Sequence, residues 1–142
     1  MKLWRISDYL DLGGEGGLHV DGRWNSVGRL IVYTAESSAL AMLEVLVRYG
    51  RKQLPPPFQL LEIDVPGDLT VTPFEGETPV DVAVSQRWGD EWLAAGRTTL
   101  AKVPSAVAPE SFNFLINPLR AEAARITLKA HAHYPWDARL FR

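Results

Sequence analysis

The chain has 142 residues, 46% of them hydrophobic and 23% charged, with a formal net charge of −2. That length and apolar content predict one domain with its own core and exclude a disordered chain. The near-balanced charge, without a block of like charges, gives no electrostatic footprint for nucleic acid or an anionic membrane, and the lack of cysteine excludes disulfides, thiolate metal sites and thiol nucleophiles.

Met1-Lys2-Leu3-Trp4-Arg5 runs into Asp8 and Asp11 without an apolar leader, and no apolar run approaches a membrane span. A soluble, cytoplasmic protein is therefore expected. Lys2 to Ile6 alternates as an opening strand. Gly13 to Asn25 is too rich in glycine for regular structure and reads as a loop that bends sharply or approaches something closely. Leu30 to Thr34 is a β-branched and aromatic strand that leads into a helix starting at Ser37, a good N-cap, and stopping at Gly50. Leu40, Met42, Leu43, Val45, Leu46 and Val47 cover most of this helix, which should lie inside the protein; Ser37, Ala41, Glu44 and Arg48 form its one narrow polar stripe.

After the Pro55-Pro56-Pro57 spacer, Phe58 to Val65 and Leu69 to Thr72 read as strands. Pro73 to Pro79 is an irregular connection. Val84 to Ala95 is a helix ended by Gly96, docked by Trp88 and Trp92, and Thr98 to Val103 is a strand. Pro109 to Leu119 reads as a loop, Arg125 to Ala130 as a late strand, and Ala138 to Phe141 as a segment pairing at the sheet edge. Strands dominate, with one helix early and one in the middle, which is the order of an α+β domain.

Few residues stand out as carriers of chemistry. Taken alone, Glu44 and Arg48 make an ordinary i,i+4 ion pair on a solvent face; set at the edge of a core, Glu44 instead needs a partner or a wet pocket. Arg5 and Arg23 stand in apolar or glycine-rich surroundings, where two guanidinium forks suit a diphosphate, or cover apolar area with their stems. The glycine run has neither the spacing of a dinucleotide fingerprint nor the lysine of a P-loop. Tyr33, at the end of a strand, reads as core packing. Ser105 lacks a G-x-S-x-G elbow, so it reaches a ligand or caps a turn and is no nucleophile. His131 and His133 share a strand face without a third ligand, and no metal is expected.

Leu3-Trp4-Arg5-Ile6, Gly22-Arg23-Trp24-Asn25, Val32-Tyr33-Thr34-Ala35, Leu43-Glu44, Val103-Pro104-Ser105-Ala106-Val107 and Asn117-Pro118 stand in the chain in that order. Together they resemble the RES domain, a family named for its arginine, glutamate and serine whose members are toxins of RES-Xre toxin-antitoxin pairs. The resemblance covers residues 1–142, through Asp137-Ala138-Arg139-Leu140-Phe141. It implies an α+β, ADP-ribosyltransferase-like split β-sheet with a few flanking helices, and an activity that destroys NAD or transfers ADP-ribose from it. The family's arginines fall on Arg5 and Arg23, its tyrosine on Tyr33, its glutamate on Glu44 and its serine on Ser105, with Asn25 a further NAD contact. Two positions depart from it: Arg48 stands where many members have histidine, and Asn117-Pro118-Leu119-Arg120 ends on arginine instead of histidine.

The implied roles are concrete. Glu44, Arg23 and Tyr33 are the expected catalytic residues, with Glu44 stabilising a ribosyl cation. Arg5 and Arg23 hold the diphosphate, Tyr33 lies against the nicotinamide, and Ser105 adds a polar contact. Water, phosphate and a protein side chain all remain open as acceptors. A cognate Xre-like antitoxin covering the cleft is the implied partner, and a protein target for ADP-ribosylation is a further one; direct nucleic-acid binding is not implied. A non-catalytic protein-binding module and a ribonuclease-type toxin are the competing readings.

Overall fold

β1 (Lys2–Ser7) is the strand on which the rest is hung. In the computed structural model, which describes residues 1–49 and 54–141, β1 pairs antiparallel with β3 (Gln59–Asp64) along its whole length, from Lys2 opposite Asp64 to Ser7 opposite Gln59. On its other side it meets β2 (Val32–Ala35) only where Trp4 lies opposite Ala35. The sheet therefore opens between β1 and β2. The remaining strands are β4 (Val71–Pro73), β5 (Leu100–Pro104), β6 (Phe112–Ile116) and β7 (Thr127–His133), giving the order β4-β5-β6-β2-β1-β3-β7, with β4 and β5 parallel.

Alternation along the strands builds two apolar layers. Leu3, Val32, Leu61, Ile63, Leu100, Phe114 and Ile116 fill one. On the opposite face α1 (Ser38–Tyr49) packs Leu40 and Ala41 against Ala35, Trp4 and Ile6, and α2 (Val82–Ala95) packs Trp92 and Leu93 against Trp24, Val103 and Leu115. The α2 ends follow local rules. The Asp81 carboxylate accepts from the Ala83 amide, and Gly96 takes the left-handed turn at φ 59°. Among the described residues no helix is long and apolar enough to cross a membrane.

The α+β class expected from element order is what the chain adopts. Three local expectations are corrected. The Pro109–Leu119 segment contains β6, an inner strand of the sheet with Phe114, Leu115 and Ile116 buried; the short apolar run Phe114-Leu115-Ile116 is how a strand end buried on both faces looks in sequence. Residues 138–141 form a short 3-10 turn and do not extend the sheet. The first helix is not enclosed: Leu43 is 37% and Val47 63% exposed, because α1 touches the sheet on one side only. The Ser37 hydroxyl accepts from the Leu40 amide at 3.1 Å, as its N-cap reading requires; the Gly50 stop lies outside the described residues.

Candidate functional site

Where β1 and β2 part, the chain leaves a cleft of about 470 Å³, within the range of small-molecule sites. Trp4 to Tyr9 form its floor, the α1 residues Ala41, Glu44 and Arg48 one wall, and Gly14, Glu15 and Gly16 the far rim. Helical spacing explains the wall, since positions 41, 44 and 48 lie three and four apart on one face. Ala41 packs flat on the sheet, and Glu44 and Arg48 project beside it.

Glu44 is half-buried and held from behind. Ser105 donates its hydroxyl to Glu44 Oε1 at 2.7 Å, and Asn113 donates Nδ2 to the same oxygen at 2.9 Å. Both donors come from the β5–β6 hairpin. Ser105 leaves the end of β5, where its Oγ also accepts from the Ala108 amide at 3.1 Å, and Asn113 sits on β6 between Val103 and Ala35 in the ladder. Oε2 takes no hydrogen bond from the described residues, and Glu44 forms no ion pair with Arg48 within 4.0 Å.

Arg5 occupies the parting of the strands. Its Nη1 donates to the Tyr33 carbonyl at 2.8 Å, and among the described residues no carboxylate lies within ion-pair distance of it. Burial and the neighbouring Arg48 lower its pKa from the ordinary arginine value, with Asp11 partly offsetting them. The guanidinium still carries its charge at neutral pH. A half-buried cation beside a second cation lacks only an anion.

Tyr33 presents its ring to the cleft and its hydroxyl elsewhere. The hydroxyl donates to Asn25 Oδ1 at 2.5 Å and accepts from the Trp24 amide at 3.0 Å. Burial pushes its pKa well above the ordinary tyrosine value, so it stays neutral. The turn it grips is also tied to α2, by Ser85 to the Arg23 carbonyl at 2.6 Å and by Ser26 to Asp90 at 2.6 Å.

The structure thus brings Arg5, Tyr33 and Glu44 together on the cleft and sets Ser105 behind Glu44. Arg23 and Asn25 lie in the adjoining turn and do not line the cleft. Asn25 is 1% exposed, with its amide spent on the Val20 and Ser26 carbonyls and on Tyr33. The glycine segment approaches its own chain: Ile31 N–H donates to Gly14 O, and a Cβ on Gly14, at φ 76°, would strike the Ile31 backbone. Arg120 donates to the Gly96 carbonyl at 2.8 Å and pairs with Glu122, and so braces the end of α2. Among the described residues no three metal-ligating side chains cluster. The residue missed in sequence is Asn113, whose signal was its alternation between Phe112 and Phe114.

The sequence matches the RES domain over residues 2–137. The chain belongs to the RES domain family. This RES domain is 37% identical to the protein named Toxin Res of Pseudomonas putida, with 99% of this chain and 100% of that protein covered. It is equally 37% identical to the Prs ADP-ribosylating toxin of a Sphingobium strain, covering 99% and 97%. Its fold is shared with a chain in the crystal structure of the M. tuberculosis MbcT-MbcA toxin-antitoxin complex, at a TM-score of 0.76 and 22% identity over 94% of this chain and 83% of that one.

Proposed function

We propose that this RES domain is the toxin of a toxin-antitoxin pair and that it consumes NAD by breaking the nicotinamide–ribose bond. The observation that carries the reading is the pairing, across one cleft, of a carboxylate that the described residues hold through a single oxygen with an arginine that has, among the described residues, no carboxylate partner within ion-pair distance. Arg5, with Arg48 beside it, takes the diphosphate, and Arg23, which does not line the cleft, would have to swing in from the adjoining turn to join them. The Tyr33 ring lies along the nicotinamide, while its hydroxyl and Asn25 keep the turn in place. Glu44 accepts a hydrogen bond from a ribose hydroxyl and faces the positive charge that develops at the sugar as the bond breaks and its electron pair leaves with the neutral nicotinamide.

The names of two relatives, Toxin Res and Prs ADP-ribosylating toxin, support this reading. The toxin-antitoxin complex that shares the fold supports a protein antitoxin as partner, here an Xre-like one that covers the cleft. The ADP-ribose passes to water, phosphate or a protein side chain. Purified protein incubated with labelled NAD, with and without phosphate and lysate, distinguishes these acceptors: label in ADP-ribose, in a phosphorylated ADP-ribose, or on protein. Intact NAD overturns the enzyme reading in favour of a binding module, and RNA loss without NAD would mark a ribonuclease.

A further inference from the structure

Asn113 is bonded on one side only. Its Nδ2 donates to Glu44, while its Oδ1 is buried and has no hydrogen-bond partner among the described residues. A buried amide oxygen without a partner is a cost to the fold. In the ladder Asn113 stands between Ala35 and Val103, where an apolar β-branched residue would fill the same place without that cost. The amide also has one workable orientation, because turning it over would set its oxygen against the carboxylate. What the position gains in return is a donor to Glu44.

We infer that Asn113 is a positioning residue: with Ser105 it saturates Oε1 of Glu44 and so leaves Oε2 as the oxygen that meets the substrate's ribose. This rests on the NAD reading above. Asn113 lines the cleft beside Glu44, and its one side-chain bond goes to the carboxylate, so its loss acts on the rate more than on binding, which the Arg5 side of the cleft supplies.

Two variants test it. Asn113→Ala frees the carboxylate to rotate; the expected result is a fall in kcat of about 10- to 100-fold with KM within about threefold of wild type. Asn113→Asp keeps the shape but donates to Glu44 only while protonated, since two carboxylates at this distance share one proton. Its activity is therefore retained toward acid pH and lost as pH rises through the pair's upper apparent pKa. The other groups facing the pair are Arg48 on α1, Arg5 on β1 and Tyr33 on β2. Arg5 stays charged and Tyr33, pushed up by burial, stays neutral between roughly pH 5 and 9. Asp8, Asp11, Glu15 and His19, which also line the cleft, are common to wild type and variant, so the difference between the two profiles belongs to the pair.

Should Asn113→Ala fail to fold, Asn113→Asp carries the test alone. Unchanged kcat in Asn113→Ala, a change confined to KM, or a wild-type pH profile in Asn113→Asp each overturns the inference while wild type still consumes NAD. A wild type that leaves NAD intact removes the NAD reading and this inference together.

Discussion

Glu44→Gln separates charge from shape at the residue on which the site turns. A glutamine oxygen still accepts from Ser105 and Asn113 as Oε1 does now, so the fold keeps both contacts and only the free, charged oxygen becomes an amide. Turnover of NAD is expected to fall by about 10²- to 10³-fold, the order found on removing one transition-state electrostatic partner, with Kd for NAD within a few fold and Tm nearly unchanged. Stopped-assay kinetics, equilibrium binding and a melt on the same preparation check it; full turnover in the variant would reject Glu44 as the catalytic carboxylate. Glu44, Arg5 and Tyr33 were legible through the family resemblance, whereas taken alone Tyr33 reads as core packing and Glu44 as half of an ordinary ion pair. Asn113 was not, since a lone asparagine near prolines carries the same local signal as a turn.

At the scale of elements, the β5–β6 hairpin and α2 act as supports for the two ends of the site. The hairpin delivers both donors to Glu44, and α2 holds the 22–25 turn beneath Tyr33. Contact between α2 and that turn is close enough to require Gly89: a Cβ there would overlap the Trp24 carbonyl oxygen. In an ordinary helix interior Gly→Ala stabilises by about 1 kcal/mol. Here the obstacle is backbone, so Gly89→Ala is expected to destabilise by about 1–3 kcal/mol through overpacking. Urea unfolding followed by tryptophan emission measures this, because Trp24 and Trp88 stack edge to face at 5.6 Å beside the contact. A stabilised variant would mean that the helix and turn are not pressed together.

For the whole molecule, a formal charge of −2 conceals a local cation pair, Arg5 with Arg48, at the mouth of the opened sheet. An anion that satisfies it binds the folded state alone and stabilises it by linkage. ADP-ribose at about 100 times its Kd is expected to add about 2.7 kcal/mol, a rise of roughly 5–10 °C in Tm for a chain of this size. Arg5→Lys keeps the charge and loses the fork, and should weaken that binding by about tenfold, the worth of one charge-assisted hydrogen bond; equal shifts in both proteins would remove Arg5 from the diphosphate site. By itself the sequence determined the α+β class, the N-cap of the helix that bears Glu44, the family, and, through that resemblance, three of the side chains that meet at the cleft. Those features follow from local periodicity, capping residues and motifs, which a linear reading records. Only the tertiary structure decided that β6 is an inner strand, that one side of α1 faces solvent, that Asn25 is spent within its turn, and that Ser105 and Asn113 converge on one oxygen of Glu44. These residues lie 61 and 69 positions from Glu44, and strand order and register, not proximity in sequence, bring them together.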